Sequence, residues 1–98
     1  NNSLIVQMNN QLKAYNLKNG NIFWSLNIEK NINKKNKIIK AESFNNNLYV
    51  FFDNGKVFII QNGEIINIID LKVKNINLLY FQDDKIFVSL ENGKTILF

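Results

Sequence analysis

A chain of 98 residues with 46% hydrophobic side chains, including eight Phe, three Tyr and one Trp, has enough apolar surface for a core, which excludes disorder, although stability is marginal at this size unless a neighbour helps. Its net charge of +4 rests on twelve basic side chains that are all Lys, and without Arg the bidentate recognition of phosphates and base edges is lacking, which argues against specific nucleic-acid binding. With neither His nor Cys, the chain has no disulfide, thiolate metal site or lipid-bearing cysteine, and composition alone leaves the compartment open.

Apolar runs of five to seven residues follow one another along the chain, at 4–8, 11–17, 21–26, 37–43, 48–52, 56–61, 64–69, 76–81, 85–90 and 94–98. They are rich in β-branched and aromatic residues, which predicts strands. Proline is absent, and all four glycines follow an Asn, at 19–20, 54–55, 62–63 and 92–93. Asn-Gly supplies the positive φ angles of a two-residue type I′ turn, so these pairs predict tight antiparallel hairpins. Residues 29–36 are polar and read as a loop. No apolar run approaches the roughly 18 residues of a membrane span. The chain opens at Asn1 without a Met or a signal-like segment, so a targeting sequence is expected to lie upstream or to have been removed.

Two runs do not alternate: Leu48-Tyr49-Val50-Phe51-Phe52 and Val57-Phe58-Ile59-Ile60 are apolar on both sides of the strand. A hairpin sheet with one wet face alternates apolar and polar side chains, so these runs predict sheets covered on both faces. The chain also repeats. A shift of 38 positions aligns 38–60 with 76–98 without a gap, bringing Val50 onto Val88, Leu48 onto Ile86 and Asn54-Gly55-Lys56 onto Asn92-Gly93-Lys94. A looser copy precedes them, Leu4 standing 44 positions before Leu48, with Asn9-Asn10 as a turn one residue shorter than Asp53-Asn54-Gly55.

All-strand units of this length match the blades of an antiparallel β-propeller, about 40 to 50 residues each. The expected fold class is all-β, a partial propeller of about two and a half blades: 3–28 (blade one, incomplete), 37–71 (blade two) and 76–98 (start of blade three). A ring needs about four to eight blades, so the chain is expected to continue into further blades or to assemble from several copies.

Within the first unit, the segment Gln11-Leu12-Lys13-Ala14-Tyr15-Asn16-Leu17-Lys18-Asn19-Gly20-Asn21-Ile22-Phe23-Trp24-Ser25 resembles the quinoprotein-like (PQQ-type) propeller repeat. The residues that carry the resemblance are Ala14 opening a small-to-large strand, Asn16 in place of an Asp, the turn glycine Gly20 and Trp24 four residues later. In the second unit Gly63 is followed at that spacing by Asn67 instead of Trp. The family implies four-stranded blades with Trp packed between neighbours. Its members divide into dehydrogenases that hold pyrroloquinoline quinone with calcium, and cofactor-free scaffolds such as the propeller lipoprotein of the bacterial outer-membrane β-barrel assembly machinery. This sequence is similar to the scaffold branch, which implies a periplasmic or envelope location and protein partners. The enzymes' quinone site uses an Arg or Lys, carboxylates and often a vicinal disulfide, and here Arg and Cys are missing.

Each chemical candidate has a structural competitor. Trp24 is read as packing, since an indole buries a large area and needs a single partner for its N–H. Asp83-Asp84 reads as the two residues of a hairpin turn in preference to an acid pair. Asp53-Asn54-Gly55 lacks the alternating oxygen ligands and distal Glu of a calcium loop, so it too reads as a turn. The glycines Gly55, Gly63 and Gly93 are expected in turns. Lys30, Lys34, Lys35, Lys37 and Lys40 form the one charge cluster, a candidate patch for an anionic partner whose competitor is a solvated loop. Ser3, Ser25, Ser43 and Ser89 have no His to activate them. The expectation is a non-enzymatic scaffold, with no catalytic, cofactor or metal residues, that meets other proteins through loops or strand edges; the rival is a piece of a quinone-dependent dehydrogenase.

Overall fold

The computed structural model of the chain describes residues 3–8, 11–28 and 36–98. Among them lie ten strands and no helix: β1 (Ser3–Met8), β2 (Gln11–Asn16), β3 (Ile22–Asn27), β4 (Ile38–Phe44), β5 (Asn47–Phe52), β6 (Lys56–Gln61), β7 (Glu64–Asp70), β8 (Ile76–Gln82), β9 (Lys85–Leu90) and β10 (Thr95–Leu97). Sequence neighbours pair into three antiparallel meanders, a first sheet β1-β2-β3, a second β4-β5-β6-β7 and a third β10-β9-β8. The residues divide into two compact units. One holds the first sheet together with the turn Asn62–Glu64; the other holds the remainder of the second sheet and all of the third.

The 38-residue repeat extends to the backbone pairing. Ala41 faces Val50 as Leu79 faces Val88, Val50 faces Phe58 as Val88 faces Ile96, and Phe51 faces Val57 as Ser89 faces Thr95. Even the irregularity recurs, a register shift between Ile38 and Lys40 in β4 and between Ile76 and Leu78 in β8. The first sheet keeps the register of β5 and β6 despite its shorter turn: Ile5 faces Ala14 as Tyr49 faces Ile59, and Val6 faces Lys13 as Val50 faces Phe58.

Directly opposed residues share a face and successive residues alternate, so this common register defines two faces in every sheet. In the second sheet, one face, called the front, carries Leu48, Val50, Phe52, Phe58 and Ile60, and the back carries Tyr49, Phe51, Val57 and Ile59. The equivalent front of the third sheet carries Ile86, Val88, Leu90 and Ile96.

The turns correct one expectation. Asn62-Gly63 has positive φ at both residues, as a type I′ turn requires, and so do Asn45-Asn46 and Asp83-Asp84, which close β4-β5 and β8-β9. At Asn54-Gly55 and Asn92-Gly93 the glycine alone is left-handed. Here the glycine N–H donates to a carbonyl three residues back, Gly55 to Phe52 and Gly93 to Leu90, each at 3.0 Å. The Asn contributes its side chain: Asn54 Oδ1 accepts the Lys56 N–H at 3.1 Å and Asn92 Oδ1 accepts the Lys94 N–H at 2.9 Å. Asn competes well for such a position because its amide oxygen reaches the backbone N–H two residues on.

In the second unit the core lies between two unlike sheet faces. Phe51 and Val57, from the back of the second sheet, cluster with Leu79 and Val88, from the front of the third, and with Val73 from the connection. Phe81 joins them by ring contacts, 5.4 Å from Phe51, 4.7 Å from Tyr49 and, edge-on, 5.8 Å from Phe44. Central strands β5 and β6 are buried on both faces, as their unbroken apolar runs require, and Phe52 and Phe58 meet on the front at 4.7 Å. Two-sided cover does not extend to the other sheets. Leu4 and Met8 in the first and Tyr80 and Leu97 in the third are exposed.

Gly55 is where the connection clamps the sheet. Its carbonyl accepts the Leu71 N–H at 2.9 Å, and a Cβ at Gly55 would stand 2.6 Å from the Val73 carbonyl oxygen. The repeat-equivalent Gly93 has φ 90° and open space. Gly93→Ala is therefore expected to cost only left-handed strain, about 1 kcal/mol, whereas Gly55→Ala adds a backbone clash and costs at least about twice as much, read from urea melts of the two variants. Equal losses would contradict the clamp.

Candidate interaction surfaces

In the first unit the motif residues organise a single hairpin. Asn16 ends β2, its Oδ1 accepting the Lys18 N–H at 2.8 Å, its carbonyl accepting the Gly20 N–H at 2.8 Å and its own N–H donating to the Asn21 carbonyl at 2.7 Å. Gly20 has φ 76°, which an L side chain adopts only with strain. Across the hairpin, buried Ala14 faces half-buried Trp24, and the pairing then slips so that Tyr15 faces Ile22 and Phe23 is the extra residue of a bulge. Gly63, in the turn that belongs to this unit, lies against the indole: a Cβ there would be 2.9 Å from the Trp24 Cβ and 3.2 Å from its Cγ.

Of the lysine cluster, Lys37 and Lys40 fall among the described residues. Lys30, Lys34 and Lys35 lie outside them. Lys37 is exposed at the entry to β4, where its backbone N–H donates to Asp53 Oδ1 at 3.1 Å. Lys40 is committed internally. Its ammonium pairs with Glu42 Oε1 at 3.1 Å, donates to the Leu79 carbonyl at 3.3 Å and sits 5.6 Å from the centre of the Tyr80 ring. A cation with three such partners ties β4 to β8 and is poorly placed to receive an outside anion. Sequence reasoning missed this role because two of the three partners, Leu79 and Tyr80, lie some 40 positions away along the chain.

Asp83 and Asp84 form a left-handed hairpin turn, and among the described residues no three acidic side chains gather into a metal-ligand set.

Three exposed surfaces stand out instead. The back of the third sheet carries Leu78, Tyr80, Phe87 and Leu97, the last three 59%, 44% and 62% exposed, in adjacent rows across β8, β9 and β10. On the front of the first sheet are Leu4 and Met8, 50% and 61% exposed, together with Ile22 across the sheet. Strand β7 ends the second sheet, and Ile66, Ile68 and Ile69 along it are exposed. An end strand offers a row of backbone donors and acceptors that another chain's strand can pair with.

Antiparallel meanders that follow one another in repeat register have known counterparts. The chain superposes on the crystal structure of BamB from Moraxella catarrhalis with a TM-score of 0.74 over 99% of its length, at 15% sequence identity. The fold is a partial β-propeller. The chain spans 29% of that BamB chain. No family model and no curated protein sequence matches it.

The Trp24–Gly63 contact has an optical readout, since Trp24 is the one Trp of the chain. Gly63→Ala must displace the indole and is expected to shift its fluorescence emission to the red. Gly20→Ala, where a Cβ meets nothing within 4 Å, is expected to leave the emission unchanged although both substitutions strain a left-handed residue. Identical spectra for the two variants would remove Gly63 from the indole's surroundings.

Proposed function

We propose that this chain is a non-catalytic propeller scaffold that binds other proteins through loops and exposed strand edges, and that it serves outer-membrane protein assembly in the periplasm or envelope. The observation that carries the reading is the superposition on BamB over 99% of the chain, which agrees with the scaffold branch to which the sequence is similar. The surfaces support it in chemical terms. Exposed Ile66, Ile68 and Ile69 on end strand β7 give an incoming strand both backbone pairing and apolar side-chain contact, the two ingredients of β-augmentation. The motif residues of the first unit, Ala14, Asn16, Gly20 and Trp24, then serve the hairpin itself and not a ligand.

The test is a direct one between purified components. Immobilised protein is expected to bind the soluble periplasmic segments of a β-barrel assembly protein with micromolar affinity, and Ile66→Asp with Ile68→Asp is expected to weaken that binding by roughly tenfold or more. In parallel, pyrroloquinoline quinone and calcium are added and reduction of an artificial electron acceptor is followed. Dye reduction would refute the scaffold reading in favour of a quinone-dependent dehydrogenase. Failure of the segments to bind would refute its assignment to outer-membrane assembly.

A further inference from the structure

One end of the second unit collects lysines that no carboxylate neutralises. Strand β4 begins there just after Lys37, β6 begins at Lys56, the connection from β7 to β8 carries Lys72 and Lys74, and the turn into β10 carries Lys94. Backbone hydrogen bonds join these segments into one rim. The Asp53 N–H donates to the Lys37 carbonyl at 3.0 Å, the Leu71 N–H to the Gly55 carbonyl at 2.9 Å and the Glu91 N–H to the Asn75 carbonyl at 2.9 Å. All five lysines are exposed, Lys56 included, although the Gly55 turn beside it is clamped by the connection. Among the described residues none of the five is in an ion pair, in contrast to Lys40. The carboxylates of the rim are Asp53, Asp70 and Glu91. Two of them are drawn onto the backbone, Asp53 Oδ1 accepting the Lys37 N–H at 3.1 Å and Asp70 Oδ1 the Lys72 N–H at 2.9 Å. Five ammonium groups against three carboxylates leave the rim at +2, whereas the β8-β9 hairpin tip at the opposite end of the unit sets Asp83 and Asp84 against Lys85.

We propose that this rim docks on an anionic bilayer surface, with Lys37, Lys56, Lys72, Lys74 and Lys94 toward the headgroups. The chemistry of the side chains selects that occupant. Lysine is a point charge on a flexible stem and suits a fluid array of phosphates, whereas fixed bidentate recognition of a carboxylate or phosphate calls for Arg, which the chain lacks. Val73, standing between Lys72 and Lys74, is buried in the core cluster and gives a peptide no apolar hold. The attraction is therefore electrostatic, weakened by salt and confined to about a Debye length from the surface. Hydrogen bonds fix the backbone of the rim before contact, so docking orders little beyond the lysine stems. The patch differs from the lysine run that the sequence suggests. Lys40 drops out of it because its ammonium is committed to Glu42 and the Leu79 carbonyl, and Lys37 shares a rim with lysines some 20 to 60 positions further along the chain. This inference goes beyond the scaffold reading and holds whichever proteins that scaffold binds.

The experiment is co-sedimentation of the 98-residue chain with vesicles of equal parts phosphatidylglycerol and phosphatidylcholine, compared with vesicles of phosphatidylcholine alone. The parent is expected to bind only the anionic vesicles and to be released as salt is raised. Lys72→Gln and Lys74→Gln are each expected to lower partitioning roughly fivefold. The decisive control is Lys85→Gln, which removes the same charge at the opposite end of the unit and is expected to leave partitioning unchanged. Circular dichroism checks that each variant folds. A parent that leaves the anionic vesicles unbound overturns the proposal, and capture of polyglutamate in that case would assign the rim to an acidic protein partner. Binding that persists at high salt also overturns it. So does an equal loss in Lys85→Gln, since net charge and not the rim would then be responsible.

Discussion

A β-sheet that is apolar on both faces cannot stand alone in water, and the organisation of this chain follows from that constraint. In β5 and β6 the side chains from Leu48 to Phe52 and from Val57 to Ile60 offer no wet side, so the second sheet is stable only as a layer covered on both faces. Each fully buried Phe or Val in such a layer contributes about 2 kcal/mol. Those contributions are realised only when a second sheet is laid against the first, which makes the contact between sheets, more than the hydrogen bonding within one, the condition for folding. Backbone pairing alone would leave each meander a marginal object.

The contact is directional because the two faces of a sheet are built differently. On the back of the second sheet Tyr49 and Phe51 meet the ring of Phe81 from the front of the third, whose other side chains in the contact, Leu79, Ile86, Val88, Leu90 and Ile96, are aliphatic. Around this interface sit two devices that hold it in register. Lys40 reaches from β4 to the Leu79 carbonyl of β8, and the Gly55 turn receives the chain at Leu71 and Val73. Both act at the rim of the apolar cluster, so the connection between sheets is fixed by polar contacts while its centre is fixed by volume.

Much of this was legible in the chain, for definite reasons. Strand positions followed from β-branched and aromatic runs bounded by Asn-Gly, and the shift of 38 residues anticipated the pairing of Ala41 with Val50 and of Leu79 with Val88 because a repeat that preserves hairpin length preserves register. What escaped was whatever depends on three dimensions or on a choice between equivalent local solutions. Asn54 and Asn92 close their turns with a side-chain oxygen instead of a left-handed backbone, an alternative that the same dipeptide permits. Lys40 looked like a solvent cation because its carbonyl and aromatic partners belong to another sheet. The unbroken apolar runs of the second sheet do not carry over to the first and third, which differ in sequence, with Lys13 in one and Ser89 and Thr95 in the other.

Those three residues show why function is harder to read here than fold. The fold requires apolar side chains at repeat-equivalent positions, and Phe51, Val57, Phe58 and Ile96 meet the requirement. A lysine or a hydroxyl at the same positions adds nothing to a sheet's stability when its face is left in water, but it discriminates when the face is covered, because an unmatched buried ammonium is costly. Polar substitution at a position the repeat reserves for core therefore marks a face that lacks the cover found on the second sheet. It does so by departing from the pattern that identifies the fold, which is why a search for repeats finds the architecture first and treats the informative positions as its exceptions.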